Sequence, residues 1–133
     1  MKKIIIISLL VLILLCGCDK KIKVNKKDNS IKIKILENFK EISNSSNMTS
    51  SNPYDYTKNK YYDNIVELGT PAINVLENMY YNGELVGLDA YLSALIIQDI
   101  SKCNLYNKYG LDWSTADEFY ELWKKYNCNF NEN

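Results

Sequence analysis

Residues 88–102 read LDAYLSALIIQDISK, and this stretch decides the fold. Leu92, Leu95, Ile96 and Ile100 recur at the three- and four-residue spacing of one helical face. Ala94 and Ile97 lie beside them and make the apolar face wider. A helix that is apolar over so much of its circumference is expected to be buried. We therefore predict a central helix here, with the other elements packed round it.

Three further helices are predicted by apolar spacing, and they cover residues 63–68, 70–82 and 114–126. Thr70 is the expected N-cap of the second, with Pro71 at the first helical position, where its missing N–H is harmless. Ser114 is the expected start of the third, with Asp117 three residues on in a variant of the capping box. A compact helical domain is thus predicted over residues 53–133.

A fifth helix is predicted before this domain, from Ser30 as N-cap to Ile42. The alternation over residues 31–35 would also suit a short strand, but the helical spacing continues through Phe39 to Ile42. Residues 43–52 are almost all serine and asparagine and are typical of a flexible linker. The fold class expected is all-α, a small antiparallel helical array.

Several short motifs stand out in this region: NPYDY at 52–56, YDNIVELGTPA at 62–72, Gly87-Leu88, Tyr91, ALIIQDI at 94–100 and WSTA at 113–116. Together they resemble a HEAT-like helical region of small Firmicutes lipoproteins. A similar region occurs in extracytoplasmic parts of BlaR1-type peptidase relatives. The resemblance covers about residues 52–127 and implies helical hairpins, but no catalytic residues.

The N-terminal segment has the layout of a secretory signal peptide. Lys2 and Lys3 precede an apolar run over residues 4–15, and Gly17 stands directly before Cys18. A small residue followed by cysteine resembles the lipobox of bacterial lipoproteins, which implies cleavage after residue 17 and a diacylglycerol on Cys18. A transmembrane anchor is one alternative, but the run would make a helix of about 18 Å against about 30 Å of hydrocarbon. A cleaved secretory signal without lipid is the other, but Leu15 fits poorly at the third position before the cut, where a small residue is preferred. We expect a lipid anchor on the extracytoplasmic face of the cell membrane.

Residues 18–29 are predicted to be a lysine-rich tether between the lipid and the first helix. Beyond Asp19 they hold five lysines and one further aspartate, with only Ile22 and Val24 apolar, too little to form a core of their own. The lysines would either rest against anionic headgroups or form a solvated spacer.

The composition excludes several classes of function. The chain contains no histidine, which removes the commonest general base and the commonest metal ligand. After residue 17 there are 14 lysines against 16 acidic residues and no arginine, so we expect no nucleic-acid partner. No phosphate-binding glycine loop is present either. The sequence predicts a protein that is not an enzyme and that uses no cofactor or metal.

Two cysteines are expected to keep ordinary side chains after cleavage and acylation. Cys103 and Cys128 would then lie outside the cell, where a disulfide can persist. Such a bridge would close a loop of about 25 residues and stabilise the domain by about 3 kcal/mol. Two separate thiols, each near a helix end, are the alternative.

Four tyrosines stand close together where the chain enters the compact domain: Tyr54, Tyr56, Tyr61 and Tyr62. Tyrosine joins a rigid apolar face to a polar tip and suits contacts with proteins. The four are the candidate binding surface, and packing of two or three onto the core is the alternative. Asp99, on the most apolar helix, is expected to be partly buried and to bond the turn at residues 113–115.

Together these features predict a membrane-anchored lipoprotein whose helical domain is a non-catalytic binding module. Its partners would be the membrane, through the lipid, and a protein at the cell surface. The alternative is an immunity or inhibitor lipoprotein that protects the surface against a toxin or lytic enzyme.

Overall fold

The computed structural model describes residues 25–45 and 50–126, and these residues fold as a small array of helices with no strand among them. This confirms the all-α prediction. In chain order the elements are α1 Lys26–Asn44, a 3-10 helix Pro53–Thr57, α2 Lys60–Val66, α3 Thr70–Tyr81, α4 Gly87–Ser101, α5 Leu105–Tyr109 and α6 Ala116–Tyr126. The signal segment, most of the tether, Cys18 and Cys128 lie outside the described residues.

Helix α4 is the centre of the array, as predicted from the apolar residues round most of its circumference. It is buried continuously from Leu92 to Gln98. It packs against the 3-10 helix, α2, α3 and α6, while α1 packs on α2 and α3. Each neighbour therefore covers a different side of α4, and this arrangement explains why α4 lacks a polar face.

Gly69 makes the sharp turn between α2 and α3. Its φ of 69° lies in the left-handed region that residues with a side chain rarely adopt. Helix α3 begins directly after it at Thr70, so Gly69 occupies the N-cap position that the sequence assigned to Thr70. No side chain caps this end.

Helix α1 begins five residues earlier than predicted, with Asn25 and not Ser30 as its N-cap. The side chain of Asn25 caps it, because its Oδ1 accepts a hydrogen bond from the backbone N–H of Lys27 at 3.2 Å. The last part of the predicted tether, residues 26–29, is therefore helical. The inner face of α1 is buried and consists of Ile31, Ile35, Phe39 and Ile42.

Helix α6 has a true capping box, one residue later than predicted. The backbone N–H of Glu118 donates to Thr115 Oγ1 at 3.2 Å, and Glu118 Oε2 accepts from the backbone N–H of Thr115 at 3.2 Å. The cap is thus Thr115 with Glu118, and not Ser114 with Asp117. The same carboxylate also accepts from the N–H of Ser114 at 2.7 Å.

Aromatic rings join the central helix to α6. Phe119 is fully buried, and its ring centroid lies 5.1 Å from that of Trp113, 5.3 Å from that of Tyr120 and 5.6 Å from that of Trp123. Trp113 in turn contacts Tyr91 of α4 at 4.8 Å. Trp123 is therefore part of the buried core, and Trp113, partly buried, packs against it.

Cys103 follows α4, is only 6% exposed and is disulfide-bonded. Its partner is outside the described residues, which contain no other cysteine. The pairing with Cys128 therefore stays a prediction.

Candidate functional site

An open groove runs between the 3-10 helix, α2 and the C-terminal end of α4. Its volume is about 370 Å³. The lining residues combine aromatic, amide, hydroxyl and charged groups; they are Tyr54, Thr57, Tyr62, Leu95, Gln98, Asp99, Lys102 and Asn104. Two of the four tyrosines singled out from the sequence thus line this groove.

Tyr62 and Asp99 form a hydrogen-bonded pair in the groove. The Tyr62 ring is 2% exposed, and its hydroxyl donates to Asp99 Oδ2 at 2.6 Å. Burial, followed by the bond to Asp99, raises the pKa of Tyr62, so the phenol stays protonated and remains the donor. Asp99 is exposed, contrary to the prediction of partial burial, and its partner is Tyr62 and not the turn at residues 113–115. Its carboxylate can therefore meet both Tyr62 and a ligand.

At one end, the groove is bounded by the turn that follows α4 and contains Lys102. Lys102 ends α4 with a φ of 57°, the one described residue other than glycine with a positive φ. Behind it, Gln98 Oε1 accepts a hydrogen bond from the backbone N–H of Leu105 at 3.1 Å, which holds α5 against α4. Lys102 is exposed, so its ammonium group and the Asp99 carboxylate both line the groove.

The 3-10 helix forms another side of the groove, and its Tyr54 lines the cavity. The backbone N–H of Tyr54 donates to Asn52 Oδ1 at 3.2 Å, and the Thr57 hydroxyl donates to the Tyr54 carbonyl at 2.9 Å. The ring of Tyr54 stands edge-on to that of Tyr91, with centroids 6.4 Å apart, and is still 54% exposed. The backbone bonds thus fix the segment that carries Tyr54, and Tyr91 contacts its ring, which leaves an exposed aromatic face where a partner could pack.

The four predicted tyrosines do not form one exposed surface. Tyr56 and Tyr62 are buried, as expected if they pack onto the core and do not form a binding surface. The Tyr56 hydroxyl donates a hydrogen bond to the carbonyl of Ser50 at 3.0 Å. Tyr61 is half-buried, with Lys60 Nζ 4.8 Å from its ring centroid. Tyr54 is the one of the four that is exposed.

A second cavity, of about 380 Å³, lies between α3 and α6 and was missed by sequence reasoning. Tyr80 stacks on Tyr120 with centroids 3.7 Å apart. The Tyr80 hydroxyl donates to Asp117 Oδ1, and the Tyr120 hydroxyl shares a hydrogen bond of 2.7 Å with Ser93. Burial, followed by the bond to Asp117, raises the pKa of Tyr80 to about 12. Tyr80 and Asp117 of this cavity are thus already hydrogen-bonded to each other, and Glu121 and Lys124 complete its polar lining.

The chemistry of the groove suits binding. Its groups can stack, donate and accept hydrogen bonds, and form ion pairs with groups of either charge. Over residues 25–45 and 50–126, no three cysteine, aspartate or glutamate side chains come together as a group that could hold a metal ion.

Comparison of the chain with protein-family models, curated proteins and solved structures finds no match. The HEAT-like resemblance therefore stays an expectation from the sequence. Within the described part of the chain, no helix has both the length and the apolar character needed to cross a membrane.

Proposed function

We propose that this chain is a membrane-anchored extracytoplasmic lipoprotein whose helical domain binds a protein partner through the groove and catalyses no reaction. The observation that carries the proposal is the groove itself, in which an exposed aromatic ring, a carboxylate and a lysine line one open cavity.

The first support is the composition of the groove. Aromatic residues are enriched at protein interfaces, and a ring that already packs against another ring loses less conformational entropy on binding. Tyr54 is such a ring. Asp99 and Lys102 lie within three residues of each other and present opposite charges, which favours a polar or zwitterionic segment of a polypeptide over a purely apolar ligand.

The second support is the order of residues at the N-terminus. Lys2 and Lys3, the apolar run over 4–15, and Gly17 before Cys18 are the parts that a lipoprotein signal requires. A lipid on Cys18 would confine the domain near one membrane face. This confinement raises its effective concentration for partners held there, so a modest groove would suffice.

The proposal predicts a site-specific crosslink from the groove. A benzophenone-bearing phenylalanine analogue placed at position 54 of the full chain, in intact cells, should give a discrete protein adduct on irradiation. Asp99→Asn in the same chain should lower the yield about tenfold, because a hydrogen bond to a charged group contributes about 1.5–3 kcal/mol. The asparagine oxygen can still accept from Tyr62, so the fold is retained.

Position 106 is the matched control, since Tyr106 is 63% exposed on α5 and does not line the groove. Equal adducts from positions 54 and 106, or no adduct from position 54, would contradict the proposal. Mass spectrometry of the adduct separates the two classes of partner: a toxin or lytic enzyme indicates an immunity or inhibitor lipoprotein, and a resident surface protein indicates an interaction module.

A further inference from the structure

We propose that the outer face of α1 docks on the anionic surface of the membrane. This inference rests on the proposed lipid anchor at Cys18 and adds a second point of attachment to it. Among the described residues, this face carries two large apolar side chains that stay exposed, Ile33 at 48% and Leu36 at 44%.

The helical spacing places these two residues opposite the core. Ile31 and Ile35 are on the inner, buried face, so Ile33, two residues from each, is turned outward. Lys26, Ile33, Leu36 and Lys40 follow at intervals of seven, three and four residues and therefore share the outer face. The result is an apolar patch with a lysine on either side along the helix and with the exposed Glu37, four residues after Ile33, at its edge.

The length of chain before α1 holds this face near the lipid. Only seven residues separate Cys18 from Lys26, and a fully extended chain spans at most about 3.6 Å per residue. The start of α1 must then lie within roughly 30 Å of an acylated Cys18. The face is therefore within reach of the bilayer.

The charge of this region complements an anionic surface. Helix α1 has five lysines against three acidic residues, and Lys20, Lys21 and Lys23 precede it. Lys32 is engaged in an ion pair with Glu84, but Lys26, Lys34 and Lys40 are exposed. An amphipathic helix with lysines beside apolar side chains lies in the plane of the interface, where it gains both apolar burial and attraction to anionic lipid.

Docking through α1 is compatible with the groove. No residue that lines the groove belongs to α1. The buried inner face of α1 packs on α2 and α3, so the outer face points away from the body of the domain. A bilayer can therefore cover this face while Tyr54 and Asp99 remain available to a partner.

Vesicle binding by chains that cannot be acylated tests the inference apart from the lipid. The mature chain, residues 18–133 with Cys18→Ser, is mixed with vesicles containing phosphatidylglycerol or with vesicles of phosphatidylcholine alone. Partitioning should be stronger to the anionic vesicles. A face variant with Lys26→Gln, Ile33→Ser, Leu36→Ser and Lys40→Gln should lose roughly tenfold or more of that partitioning. The matched control on α5, Tyr106→Ser with Lys108→Gln, should bind like the parent chain.

A fluorescent probe keeps the test decisive if the face variant does not fold. A solvatochromic dye on Leu36→Cys should shift to the blue with phosphatidylglycerol vesicles, whereas the dye on Tyr106→Cys should not. Unchanged binding by a folded face variant, no preference for anionic vesicles, or equal shifts at the two positions would overturn the inference. None of these outcomes depends on acylation, so a failure here is distinct from a failure of the lipid anchor.

Discussion

Replacement of Phe119 by alanine is expected to lower the free energy of unfolding by about 3–5 kcal/mol. Phe119 is fully buried, and its ring lies against Trp113, Tyr120 and Trp123. Truncation removes apolar burial and leaves a cavity between rigid rings that cannot collapse into it. Because domains of this size are stable by only about 5–15 kcal/mol, the variant should be close to unfolding at 37 °C.

Urea denaturation followed by far-UV circular dichroism measures this change. Tyr106→Ala is the control, because Tyr106 is largely exposed and its truncation should alter stability by no more than about 0.5 kcal/mol. Similar unfolding midpoints for the two variants would show that the aromatic packing round α6 does not hold the domain together.

Loss of the disulfide is the second large effect expected. Cys103 is disulfide-bonded, and acylation of Cys18 with removal of Cys16 would leave Cys128 as its partner. Closing a loop of about 25 residues restricts the unfolded chain and stabilises the fold by about 3 kcal/mol. Cys103→Ser and Cys128→Ser should each remove that stabilisation, and the double variant should lose little more than either single one, because both changes break the same bond.

Unfolding of the parent chain with and without reductant supplies the reference for this comparison. Reductant should lower the stability of the parent by the same amount and leave both single variants unchanged. Full stability in Cys128→Ser, together with a loss in Cys103→Ser, would show that Cys103 pairs with another cysteine.

The helices were predictable where a local pattern reports burial. The apolar girth of α4 and the spacing of Ile35, Phe39 and Ile42 in α1 identify their buried faces from the sequence alone. The start of α1 was not predictable in this way, because residues 26–29 are polar and resemble a tether. They are helical because Asn25 caps the end and the face beyond them packs on α2 and α3. The 3-10 helix and α5 span five residues each, too few for periodicity to reveal.

Only some of the residues that line the groove could be predicted from the sequence. Tyr54 and Tyr62 belong to a tyrosine-rich segment, which predicted one shared surface. In the structure Tyr54 is exposed and Tyr62 is buried. This difference depends on the neighbours that pack round each ring, which the local sequence does not reveal. The bond from Tyr62 to Asp99 joins residues 37 positions apart. The partner of Asp99 thus follows from the packing of α2 on α4 and from no local motif. The cavity between α3 and α6 was missed for the same reason.

Both the groove proposal and the membrane-docking proposal place the domain on the outer face of a membrane, and acylation of Cys18 is the step that puts it there. Metabolic labelling of the full chain with an alkyne fatty acid in a bacterial host tests this step most directly. The parent chain and Cys16→Ala should both carry the label and sediment with membranes, because Leu15 is too bulky to precede a lipid-bearing cysteine at position 16. Cys18→Ala should lose the label. Label retained in Cys18→Ala, or absent from the parent chain, would contradict the account.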